Sequence, residues 1–166
     1  MLLKSYHKKY TYLLSVSNKL IREKSMPTNR RVTITVSFEG QDYEDFGSNE
    51  YPPPFNSTRV VILTNDMPQG LMNFQIRWGG ECRAEFNTLV QRISGGNDVR
   101  IYGDLKLFEG TSEDTNDLDG VTTIDFVCPK SSTIPYEAFV RNNDEDDDDW
   151  AKVKMTVSNY PNVEDE

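Results

Sequence analysis

From Val32 to Val157 apolar side chains recur at every second position in segment after segment, and Gly, Pro, Asn and Asp gather where the alternation stops. Neighbouring side chains on a strand point to opposite faces, so this period of two demands half-buried strands joined by reversals. Val32, Ile34, Val36 and Phe38 make the first such set, and Ser57 to Thr64 the second. The second carries the near-continuous run Val60-Val61-Ile62-Leu63, which predicts a central position in its sheet. Met72 to Trp78, Cys82 to Phe86, Val99 to Leu107, Val121 to Cys128, Ile134 to Val140 and Ala151 to Val157 follow. Between Asn87 and Ile93 the alternation lapses, leaving bend, bulge and coil open. About eight strands with turns between them and no helical pattern after residue 30 predict an all-β antiparallel sandwich over residues 31–158.

The flanks differ in composition. Residues 1–25 hold Lys4, Lys8, Lys9, Lys19, Arg22 and Lys24 against the single acid Glu23, and residues 1–30 are expected to be a poorly ordered basic extension. Their apolar stretch is short, broken by serine and followed by no small-x-small cleavage site, which argues against an export signal. Residues 159–166 are expected to be a polar acidic tail. No apolar run approaches the ~20 residues that span a bilayer. A soluble chain is expected, with the cytoplasm favoured over secretion.

Counting reversals from the first strand sorts the connections. Loops 39–56, 79–80, 110–120 and 142–149 fall at one end, and 65–70, 94–97 and 129–133 at the other. The first end then collects 15 of the 27 acids. Crowded carboxylates repel one another unless something neutralises them. The loop Gly110-Thr-Ser-Glu-Asp-Thr-Asn-Asp-Leu-Asp-Gly120 is the most suggestive, because it spaces oxygen donors between two glycines. Ca²⁺ takes six to eight oxygens, so the expected site draws on Asp114, Asn116, Asp117 and Asp119, completed by Asp144 and Asp146. Leu118 at the fifth position from Asp114, and Asp125 where a bidentate glutamate is due, exclude an EF-hand.

In the placement of its acidic end loops and in Asp117-x-Asp119, a small part of the chain, the arrangement resembles that of C2 domains. The sandwich is accordingly expected to be jelly-roll or C2-like. That resemblance implies calcium held by loop aspartates.

Other chemistries fit poorly. The one histidine, His7, sits in the basic extension, which removes Ser-His-Asp and histidine-ligated metal chemistry. Neither Trp78-Gly-Gly-Glu81 nor Ser94-Gly-Gly-Asn97 has the Lys-Ser/Thr ending of a phosphate loop. A net charge of −9 is unsuited to a nucleic-acid surface. Cys82 and Cys128 are buried thiols or one bridge. The expected function is a non-enzymatic binding domain whose acidic, Ca²⁺-binding end orders a surface for a protein or carbohydrate. A carbohydrate-binding or lectin-like module, stacking sugars on Tyr43, Trp78 and Trp150, is the alternative. The second alternative is a metal-independent acidic surface for a basic protein.

Overall fold

The computed structural model describes residues 28–44, 47–143 and 148–163. Eight strands are formed: β1 (Arg30–Gln41), β2 (Phe55–Leu63), β3 (Gln69–Trp78), β4 (Cys82–Arg92), β5 (Val99–Phe108), β6 (Leu118–Cys128), β7 (Ser132–Arg141) and β8 (Trp150–Pro161). They build two antiparallel sheets of four, ordered β2-β1-β8-β7 and β3-β4-β5-β6. The expected all-β sandwich is thus what the chain forms. Its connectivity is a meander, in which consecutive strands are neighbours and the chain passes between sheets only at β2–β3 and β6–β7. Jelly rolls are built from Greek keys, and the strand order here has none.

The inward rows of both sheets make one core, with Val32, Ile34, Phe86, Ile101, Leu105, Ile124 and Val157 fully buried. Three expectations are adjusted. β2 is an edge strand rather than a central one; Val60 turns outward while Val61 and Leu63 face the core. Residues 87–92 continue β4, with Asn87, Leu89 and Gln91 on its outer face and Thr88 bonding the Met72 carbonyl. The tail does not begin at 159, because β8 runs through Pro161. Asn159 is buried there against Arg30, accepting from its Nε and Nη2 at 2.9 Å. A polar residue at an inward position breaks the pattern that marks a strand, yet this one is satisfied. The expectations for the basic extension up to residue 27 lie outside the described residues.

Cys82 opens β4, whereas Cys128 closes β6 level with Val99, itself the partner of Arg92 at the far end of β4. Ten strand residues separate those levels, roughly 30 Å, and a disulfide needs Cα atoms within about 7 Å. Both cysteines are buried thiols.

Candidate metal centre at the acidic loop end

The sorting of loops by parity matches the fold. The β3–β4 hairpin turns on Gly79 and Gly80, with φ of 71° and 90°. Gly80 O accepts the Glu113 N–H of the β5–β6 loop at 3.0 Å. That loop is tied to the β7–β8 connection, since Asn143 donates to Asp119 O from its backbone at 3.1 Å and its side chain at 2.7 Å. Tyr43 N–H, in the β1–β2 connection, donates to Asp149 Oδ1 at 2.5 Å. All four connections at this end therefore hold one another in place.

The aspartates of the 110–120 loop do not converge. Asp114 is exposed and ion-paired with Arg77, whose guanidinium holds its carboxyl below the usual range. Asp117 and Asn116 are on the exposed part of the loop. Asp119 is the residue skipped by the β5–β6 register between Gly120 and Leu118, a bulge. Its Oδ2 accepts the Glu109 N–H at 2.6 Å, so it closes the base of its own loop. Asp144 and Asp146 lie outside the described residues. Of the three aromatic residues, Tyr43 is exposed and Trp150 half-buried, stacked with Phe139. Trp78 is only 3% exposed and packs on Phe38 in the core, so it offers no stacking surface.

What does converge is a different set. Among the described residues, Asp42, Cys82 and Asp149 are the group of three metal-capable side chains whose donor atoms lie within 4.8 Å of one another. All three extend an inward row. Asp42 follows Val32, Ile34, Val36, Phe38 and Gly40 with the same parity, Asp149 precedes Ala151 and Val153, and Cys82 leads Ala84 and Phe86. The β1–β8 register ends at Gln41 opposite Trp150, so the next step sets Asp42 against Asp149. Cys82 faces them from the other sheet.

The environment is dry. Asp42 is 2% exposed, and Asp149 and Cys82 are fully buried. Asp42 is pushed up to about 7, chiefly by burial and then by the charge of Asp149, with Glu44, Glu81 and Glu50 adding to it. Its Oδ2 has no hydrogen-bond partner among the described residues and lies where a Cβ on residue 79 would sit. The Trp78 indole N–H at the same end is likewise buried with no hydrogen-bond partner among the described residues. Two carboxylates and a thiol in a water-poor space have the donor chemistry to hold a divalent cation or to share a proton.

No protein-family model and no curated protein sequence matches this chain. Among the described residues, fold and site define an eight-stranded meander sandwich with a buried acidic centre beneath its interlocked end loops.

Proposed function

We propose that this is a non-enzymatic binding domain whose acidic end takes a divalent cation at the Asp42–Asp149 pair and presents the surrounding loops to a partner. The observation that carries the reading is the burial of these two carboxylates face to face at the end of the core. Like charges opposite one another across a strand pair destabilise a sheet. An ion of charge +2 reverses that sign, and it draws the β1–β2 and β7–β8 connections together. Ca²⁺, the ion expected from the acidic loops, would take oxygen donors here from the two carboxylates. The exposed rim with Tyr43, Asp114, Asp117 and Asp148 is then the surface offered to a partner.

Thermal melts of the whole chain with chelator, Ca²⁺, Mg²⁺ or Zn²⁺, repeated on Asp42→Asn, test this. A ligand at ~100 times its dissociation constant adds about 2.7 kcal/mol, several degrees for a domain of this size. A rise with any of these ions that Asp42→Asn loses is the expected result. Melts that coincide in chelator and in every ion refute the cation and leave an acidic surface acting directly on basic partners. Binding of that kind weakens steeply with salt.

A further inference from the structure

We infer that the buried centre of Asp42, Cys82 and Asp149 is a mixed oxygen–sulfur site selective for a zinc-class ion, rather than an all-oxygen calcium site. The inference rests on the preceding reading, that the acidic end takes a cation, and adds which class of ion and which third ligand.

Three observations carry it. The donors come from both sheets, Asp42 and Asp149 from the ends of neighbouring β1 and β8 and Cys82 from the start of β4, so an ion among them would pin the sheets together. A thiolate is a soft ligand that hard Ca²⁺ and Mg²⁺ do not use, whereas Zn²⁺ accepts carboxylate and thiolate together. Asp42 Oδ2 supplies the independent sign of a ligand. It is a buried carboxylate oxygen with no hydrogen-bond partner among the described residues, set against the hairpin glycine three positions before Cys82. Zn–O near 2.1 Å and Zn–S near 2.3 Å put the donors of a tetrahedral site about 3.5 Å apart. The observed limit of 4.8 Å needs a contraction of at most about 1.3 Å to reach the spacing of a tetrahedral site. Binding displaces the Cys82 thiol proton to solvent as the Zn–S bond forms, and no oxidation state changes. The fourth position is left to water or a loop oxygen.

Co²⁺ reports directly on such a site, because a thiolate ligand adds sulfur-to-cobalt charge-transfer absorption in the near ultraviolet. Co²⁺ added to the metal-free full-length protein is expected to produce this band, and Zn²⁺ to displace it. Cys82→Ser should abolish the band and weaken Co²⁺ binding at least about tenfold, since even outer-shell changes cost 10–100-fold. Cys128→Ser, at the opposite end, should leave it intact. Asp42→Asn tests the same site without touching the sulfur and should weaken the band in parallel, which keeps the test decisive if Cys82→Ser does not fold. Co²⁺ binding without the band, or a band that survives Cys82→Ser, overturns the inference. Stabilisation by Ca²⁺ through Asp42 with no sulfur band overturns it while upholding the proposed function. No response to any ion overturns both.

Discussion

Asp42 Oδ2 occupies the space that a Cβ on Gly79 would need. This carboxylate, one residue beyond β1, therefore reaches across the sandwich and is accommodated only because the β3–β4 hairpin turns on a residue without a side chain.

That relationship separates two adjacent glycines. Gly79 and Gly80 both have positive φ, 71° and 90°, but nothing lies within 4 Å of a Cβ at Gly80. Alanine at either position takes on the left-handed backbone cost of about 1–2 kcal/mol. Gly79→Ala must also move Asp42, which should add about 1–3 kcal/mol of overpacking. Urea unfolding of the two variants measures the difference, and equal losses would place Asp42 elsewhere.

The metal-free protein should lose stability as pH rises through neutrality. Asp42 is held near 7 in the fold against an ordinary 3.8, so the folded state binds more protons between those values. Its contribution is fully present below about 3.8 and is lost as pH rises through about 7. The slope from one such group is at most about 1.4 kcal/mol per pH unit. Asp42→Asn in chelator should flatten the stability profile over this window and be more stable than the parent above pH 7. Parallel profiles would contradict the buried, proton-holding carboxyl.

At the opposite end, Asn159 is the polar keystone. It accepts from Arg30 and donates through Nδ2 to Asn97 O at 2.9 Å and Cys128 O at 3.0 Å. Hydrogen bonds to charged groups are each worth about 1.5–3 kcal/mol, and the substitution also removes the bonds to Asn97 O and Cys128 O, while Arg30 Nη2 keeps the Asn159 backbone carbonyl. Asn159→Leu, of similar size, is expected to cost at least about 3 kcal/mol in chemical denaturation. A loss under 1 kcal/mol would show that Arg30 has another way to be satisfied.

Both thiols should be silent in the native state. Cys82 and Cys128 are fully buried, and burial pushes the Cys128 thiol up, away from the reactive thiolate. A thiol reagent should label neither cysteine in the metal-free native chain and both after denaturation without reductant. Labelling of none after denaturation would mean a bridge that the strand register forbids.

The fold was legible in the sequence because strands with one wet face advertise themselves by alternation, and the loop sorting followed from parity alone. β2 misled because an uninterrupted apolar run marks hydrophobicity, not position; Val60 is spent on an outward-facing edge. The centre was legible in principle from the same parity, which carries each inward row one step further to Asp42, Cys82 and Asp149. The density of acids in 110–120 is the louder signal in the sequence, and it points elsewhere. Density does not report direction: Asp114 turns to Arg77 and Asp119 to the Glu109 amide. Trp78 reads as a surface aromatic beside a loop, but its place in the Met72–Ile76 row sends it inward.

The central claim is that a divalent ion belongs between Asp42 and Asp149, and native mass spectrometry tests it most directly. The intact chain, equilibrated with Ca²⁺ and Zn²⁺ and exchanged into volatile buffer, should carry one divalent ion per molecule, and Asp42→Asn should carry none. A parent protein at its apo mass, or an ion retained equally by Asp42→Asn, would contradict the account.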